Sequence, residues 1–316
     1  MHPTINHHPR IHLIFASVCL ITAIAVALLG SGPAAAQSWS EHTHTGELAF
    51  AVGDMDRAET EMRAALDLAQ GFEKGDPRLE TSLSNLAKLY ENLHRLDQAQ
   101  PLFELLLAVQ EEHHGSTSPR LLDTLLALGR ICVRSRDIPG AEAHLKRYAA
   151  LAEEAASSGK DSKGAWASAA DKDRLRAVLS ILSEVVGHQG RTEEALDLQR
   201  RSVALITPES MLTLSERADQ LESLAQLELL HGSVEEGERL LREAIRLRIE
   251  DEDPRSESQL LAEAARTAFA AGETSLTERL ASDAVARATE PERQTLATKL
   301  LADVAWLEVR RGSNGL

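Results

Sequence analysis

A small residue recurs six times inside an amphipathic helical pattern, and a second small residue opens the helical pattern that follows. The second set falls at Ala58, Ala99, Ala141, Ala195, Gly237 and Thr277, so the steps are 41, 42, 54, 42 and 40 residues. A fixed period of this size predicts an array of stacked helix pairs and not one closed globule. A single pair cannot bury its own apolar face, so neighbours must cover one another in line. The 316 residues therefore need not be divided into average-sized domains.

Composition agrees with an all-α chain. Aromatic residues make up 3%, and Gly and Pro number only 18 and 10. Ala, Leu, Glu and Arg dominate, which favours helix almost throughout. No segment alternates with period two, so no strand is expected. Acidic residues number 49 against 34 basic, a net charge of −15. Nucleic acid is disfavoured as a partner, because its phosphates demand clustered Lys and Arg. A basic peptide partner stays open, and the plainer reading is a solvated surface.

The first 36 residues read as an address. Arg10 lies in an acid-free start, Leu13 to Leu29 is free of charge, and Gly30, Gly32 and Pro33 then break the pattern. Ala34-Ala35-Ala36 supplies the small-residue site, so a secretory signal peptide over 1–36 with cleavage after Ala36 is expected. The alternative is an uncleaved anchor, and only then is a membrane a partner. Periplasmic or secreted localisation follows. Of the two cysteines, Cys19 lies in this segment and Cys132 in a repeat, so the mature chain has no intramolecular disulfide. Its stability must come from helix packing.

The residues inside each period resemble the tetratricopeptide repeat. That family has a small residue in helix A, a Gly or polar turn, an early Ala in helix B, and further buried positions along helix B. In order, these places read Gly46, Gly53, Ala58, Met62 and Ala65 in repeat 1. They read Ala87, His94, Ala99, Phe103 and Leu106 in repeat 2, with Tyr90 at the aromatic place of helix A. Repeat 3 has Gly129, Arg136, Ala141, Leu145 and Tyr148; repeat 4 has Ser183, Gly190, Ala195, Gln199 and Ser202. Repeat 5 has Ala225, Gly232, Gly237, Leu241 and Ala244; repeat 6 has Ala265, Gly272, Thr277, Ala281 and Ala284. The period is longer than the family's usual one of roughly 34 residues and is similar to repeats of the kinesin light chain type. The run Ser84-Asn85-Leu86-Ala87-Lys88-Leu89-Tyr90 carries that flavour most clearly.

The resemblance implies a right-handed α-solenoid of about six helix pairs. Residues 37–156 would hold repeats 1–3, and 174–316 repeats 4–6 with a capping helix from Pro291 to Arg311. Between them, 157–173 is rich in Gly, Ser and Lys and is expected as a flexible loop. Trp166 in its middle is either a partner anchor or a local packing residue.

The resemblance also implies that helix A of each pair lines a concave groove. The inward residues would be His44 and Glu47; Asn85, Lys88 and Asn92; Arg130 and Arg134; Glu184 and His188; Gln226; and Arg266. Thr43, Phe50, Ser84, Asp123, Glu222 and Glu263 sit beside them. Asn85 has an amide suited to the main chain of an extended peptide. Lys88, Arg130 and Arg134 would receive a carboxylate, although the family's carboxylate-clamp pattern is only partly matched. Glu184, Glu222 and Glu263 would make the far half more acidic, so the groove would be polarised.

No phosphate loop, nucleophile elbow or dinucleotide fingerprint is present in the sequence. His42 with His44 and His113 with His114 lack the i, i+4 spacing that points two imidazoles at one ion, so no metal site and no cofactor are expected. Cys132 reads as a small buried hydrophobe. The chain is expected to be a non-enzymatic, extracytoplasmic scaffold for a protein or peptide. The alternative is a regulator that senses a small molecule or peptide and signals to a partner.

Overall fold

The computed structural model describes residues 33–158, 169–288, 298–299 and 301–305. Among the described residues every regular element is helical. The α-helices follow in order among the described residues: α1 (Pro33–Val52), α2 (Met55–Ala69), α3 (Pro77–Asn92), α4 (Leu96–His114), α5 (Leu122–Ser135) and α6 (Ile138–Ser158). They continue with α7 (Ala169–His188) and α8 (Thr192–Ala204), α9 (Leu214–His231) and α10 (Val234–Glu250), and α11 (Glu257–Ala270) and α12 (Thr274–Arg287). A 3-10 turn, Pro119–Leu121, leads into α5. The chain divides into two compact units, Met1–Asp137 and Ile138–Leu316.

Each expected repeat thus spans two consecutive helices. The small residue of helix A is buried in all six, from Gly46 to Ala265. Ala58, Ala99, Ala141 and Thr277 are wholly buried at the start of helix B, and Ala195 nearly so. Side chains of this size let two helices approach and interlock their ridges. In the first unit α1 packs on α2, α2 on α3, and α3 on α4. In the second unit the same order holds from α7 through α12, and one continuous core runs from Leu196 to Ala284. Tyr90 is buried, and its hydroxyl donates to Glu59 on α2 at 2.9 Å, so the aromatic place of helix A stitches one repeat to the preceding one.

The turn between helices has a common device in five repeats. Gly53, His94, Arg136, Gly190 and Gly272 are left-handed, with φ between 58° and 86°. This lets the following N–H reach back to a carbonyl of helix A. Asp54 donates to Ala49 at 2.9 Å, Arg95 to Tyr90 at 2.9 Å, Asp137 to Cys132 at 2.8 Å, Arg191 to Val186 at 3.2 Å and Glu273 to Ala268 at 3.0 Å. The pattern satisfies helix-end carbonyls that would otherwise be orphaned.

Repeat 5 departs from it. Gly232 has φ −125°, and the Ser233 N–H donates instead to the Glu228 carboxylate at 3.1 Å. Gly232 is needed for space, since a Cβ there would lie 2.0 Å from Glu228 Oε2. Gly237, at the place usually held by Ala, is also a matter of space. A Cβ there would meet Leu229 Cδ2 at 2.6 Å and the Ala225 carbonyl at 3.3 Å. Gly237→Ala is therefore expected to destabilise the second unit by about 1 kcal/mol net. Overpacking of about 2 kcal/mol outweighs the roughly 1 kcal/mol gain in helix propensity. Urea unfolding checks this, and a more stable variant would refute the close packing.

The weaker match of repeat 4 has a hydrogen-bonding explanation. Ser183 Oγ donates to the Ala195 carbonyl at 2.7 Å, and Ser202 Oγ to the Arg176 carbonyl at 2.9 Å. Buried polar groups are tolerated when paired in this way. In repeat 6 the buried Thr277 hydroxyl is held by the Glu273 carbonyl at 2.8 Å.

α6 runs to Ser158 and α7 begins at Ala169, so helix enters the expected 157–173 loop from both sides. Ala169-Ala170 followed by Asp171 is good N-terminal helix sequence. Trp166 lies outside the described residues. So do most of the expected signal segment and much of the expected capping helix. Within the latter, residues 301–305 are helical, Leu301 packs on the core of the second unit, and Val304 is fully buried. No helix among the described residues is long and apolar enough to cross a membrane.

Candidate functional site

The expected groove residues all lie on the first helix of a pair, because the small residue that faces helix B leaves the opposite edge of helix A outward. His44 and Glu47 are on α1; Asn85, Lys88 and Asn92 on α3; and Arg130 and Arg134 on α5. Glu184 and His188 are on α7, Gln226 on α9 and Arg266 on α11. Asn85 is partly buried and the others are exposed. Successive first helices are neighbours within each unit. Asn85 Nδ2 donates to Glu47 Oε1 across α1 and α3 at 2.9 Å.

In the first unit much of the expected basic character is internally matched. Arg130 pairs with Glu91 of α3 at 2.9 Å. Arg134 is hydrogen-bonded to the turn residue His94. Asn92 spends an amide N–H on the Lys88 carbonyl at 2.8 Å. Lys88 is exposed and has no ion-pair partner among the described residues. A carboxylate arriving here would meet one open ammonium and two arginines already engaged.

The second unit has a built cleft. Glu184, Gly187 and His188 of α7, Thr192 and Gln199 of α8, and Gln226, Leu227 and Leu230 of α9 line a space of about 460 Å³. Gln226 and Leu230 also line the next cleft, of about 270 Å³, with Arg266, Thr267 and Ala270 of α11 and Ala271 just after it. The two share a wall, so Glu184, His188, Gln226 and Arg266 border one run of surface across three helices. Leu230 is exposed in it. Apolar patches between oriented polar groups suit an extended chain.

The expected acidity of this half is reduced by pairing. Glu222 does not stand open to the groove: it forms a two-pronged bond to Arg248 of α10, at 2.8 and 3.0 Å. Arg248 also takes Asp219 at 2.5 Å, and its hydrogen bonds to Glu222 raise its pKa. Glu263 is held by Arg255 at 2.6 Å. Of the three carboxylates, Glu184 alone has no ion-pair partner among the described residues. Sequence spacing placed these residues on a face but could not show which cations from other elements reach them.

Cys132 is buried, and that burial pushes its thiol up to about 11. A thiol so seldom ionised is a packing residue and not a nucleophile.

Two features escaped the sequence reading. One is a cleft of about 640 Å³ lined by α8, α9 and α10, with an apolar floor that includes Leu221, Leu224, Leu240 and Leu247. Arg200, Arg217 and Arg239 border it. The other is a convergence of Glu80, His113 and His114. Neither has a signal within one helix, because each is assembled from side chains of two or three.

Comparisons with known proteins agree with this geometry. The model of the tetratricopeptide repeat matches residues 78–154. A search of curated protein sequences finds no significant match. Among solved structures, BtubC (BKLC) from P. vanneervenii superimposes with a TM-score of 0.52 at 20% identity, covering 70% of this chain and 90% of that one. The nearly identical TPR-like repeats of a kinesin light chain candidate from Podosopora anserina do so with a TM-score of 0.50 at 17% identity, covering 68% and 96%. Residues 78–154 thus match the tetratricopeptide repeat, and the chain has the all-α, helix-pair solenoid fold of the structures it is similar to.

Proposed function

We propose that this protein is an extracytoplasmic scaffold that binds a protein or an extended peptide segment along the first-helix face of its second unit. The observation that carries the reading is the shared wall of the two clefts. Glu184, His188, Gln226 and Arg266 there frame the exposed Leu230 across the first helices of three successive repeats. Tetratricopeptide folds in general mediate protein–protein interactions, and rigid helices lower the ordering cost of such binding. Placement outside the cytoplasm rests on the signal-like first 36 residues. Cleavage after Ala36 would spare Trp39, whose indole N–H donates to Ser82 Oγ at 2.8 Å. Amino-terminal sequencing of the native protein should then begin at Gln37.

The binding test is a crosslinked capture from native envelope. It compares the parent with a Leu230→Glu, Arg266→Ala variant of unchanged melting temperature. A partner held by the parent should fall at least about tenfold in the variant, since a central apolar anchor is worth about 2 kcal/mol and tenfold needs about 1.4 kcal/mol. Equal capture by both would refute this face. A parallel variant, Asn85→Ala with Lys88→Ala and Arg130→Ala, tests the first unit.

The alternative function, a ligand-responsive regulator, has one observation in its favour. The cleft against α8, α9 and α10 has the size and apolar floor of a small-molecule site. Saturable heat on titration with an amphipathic anion, lost in Leu224→Arg, would favour that reading.

A further inference from the structure

Outside the groove, the last two residues of α4 and the first turn of α3 make an arrangement with chemistry of its own. His113 and His114 end α4, and Gly115, with φ 84°, turns the chain away immediately after them. Although they are adjacent on the helix, the two rings flank a common space, edge to face, with centroids 5.9 Å apart. Glu80 fills that space from α3. His113 Nδ1 lies 2.7 Å from Glu80 Oε1, and His114 Nε2 lies 3.1 Å from the same oxygen and 3.3 Å from Oε2. The side chains are 13%, 23% and 17% exposed for His113, His114 and Glu80, so the cluster is shielded but not sealed from solvent. Neighbouring charges are occupied elsewhere: Glu112 pairs with Lys74, and Asp76 with Arg78 at 2.5 Å.

We infer that Glu80, His113 and His114 form a three-ligand site for a divalent transition metal, best suited to Zn²⁺. The donor atoms all lie within 4.8 Å of one another. Zinc bonds of roughly 2.0–2.2 Å place tetrahedral ligand atoms about 3.3 Å apart, whereas the two imidazole nitrogens lie 2.7 and 3.1 Å from Glu80 Oε1, so both rings would draw back from the carboxylate to admit the ion. Two imidazoles with one carboxylate match zinc, whereas Mg²⁺ and Ca²⁺ favour all-oxygen sets. Three protein ligands leave a fourth position for water or for a carboxylate or imidazole from a partner. A bound ion would clamp the start of α3 to the end of α4, because metal binding energy adds to folding energy.

The test uses the full, untagged chain after chelator treatment and dialysis. Zn²⁺ is titrated calorimetrically and melting temperature is followed with and without metal. The parent is compared with Glu80→Gln and with the His113→Ala, His114→Ala double variant. His2, His7 and His8 remain in every variant, so weak background binding there cancels in the comparison. One zinc equivalent per chain is expected in the parent. Its affinity should fall at least about tenfold in each variant, and zinc should raise the melting temperature of the parent alone. Equal binding by parent and double variant, or no zinc-dependent shift in the parent, would overturn the site and leave a hydrogen-bonded Glu–His cluster. If the double variant fails to fold, Co²⁺ added to the parent decides. Intense tetrahedral visible bands, weakened in His114→Gln, support the site, and their absence refutes it. Mg²⁺ acting as well as Zn²⁺ would also refute it.

Discussion

Ala99→Glu is expected to unfold the first unit at temperatures where the parent is fully native. Ala99 is wholly buried near the start of α4, which packs on α3, where Ala87 is equally buried. A glutamate there must place a charged, longer side chain at a helix crossing sized for a methyl group. Burying an unpaired carboxylate and overpacking the crossing act together, so the loss should exceed about 4 kcal/mol. For a unit of this size the midpoint should fall by more than about 10 °C. Because stacked repeats stabilise their neighbours, the loss should spread beyond α3 and α4. Ala99→Gly removes only a methyl group and should cost about 1 kcal/mol. Thermal unfolding of the pair checks the prediction, and an unchanged midpoint for the glutamate variant would undo the repeat alignment at its clearest copy.

Arg200→Met is expected to cost about 3 kcal/mol, as breaking a buried ion pair does when the charge left behind cannot reach water. The two partners are unequal. Glu228 is 2% exposed and Arg200 is 52% exposed. Two bonds join them, at 2.6 and 2.8 Å. The Arg200 hydrogen bonds hold the Glu228 carboxyl below its usual range, against the upward push of its burial. A depressed folded-state value means that the carboxylate stabilises the fold above its unfolded value. That contribution fades as pH falls below about 4.5. In Arg200→Met the same carboxylate is buried without its cation, and its value should rise. The gap between variant and parent should therefore be largest at neutral pH and shrink on acidification. Adding Glu228→Gln to Arg200→Met should recover part of the loss, since the neutral amide still offers an acceptor to the Ser233 N–H. Urea unfolding at pH 7.5 and pH 5 reads both effects. A penalty that grew toward low pH would show that Glu228 is not the group left stranded.

The Glu228 case shows where sequence and structure part company. Gly232 was readable as the turn of repeat 5, and the chain does turn there. The reason is different from that at Gly53, Gly190 and Gly272, where a left-handed residue closes the helix through its neighbour's N–H. At Gly232 a side-chain carboxylate takes over that bond, so only the missing Cβ matters. Gly237 and Ser183 are similar. Each departs from the repeat pattern in a way that sequence comparison scores as weakness. Each is explained by a close neighbour, Leu229 in one case and the Ala195 carbonyl in the other.

The candidate groove residues were legible as positions on the first helix of each repeat. Helical spacing is enough to place Asn85, Lys88 and Arg130 on one edge of their helices, because the small residues at Ala87 and Gly129 fix the opposite edge. Which charges stay open was not legible. Arg130 is matched by Glu91, Glu222 by Arg248 and Glu263 by Arg255.

By itself the sequence determined the all-α class, the two-helix repeat and the small buried residues of each repeat. All of these depend on local periodicity and side-chain size, which a linear pattern records. Tertiary structure alone decided which ionic groups are neutralised, where the clefts open, and that Glu80 meets His113 and His114. The physical reason is range: helix formation and small-residue packing are set within one turn or one repeat period, whereas a charge pair or a ligand cluster depends on side-chain ends from different helices arriving within about 3 Å.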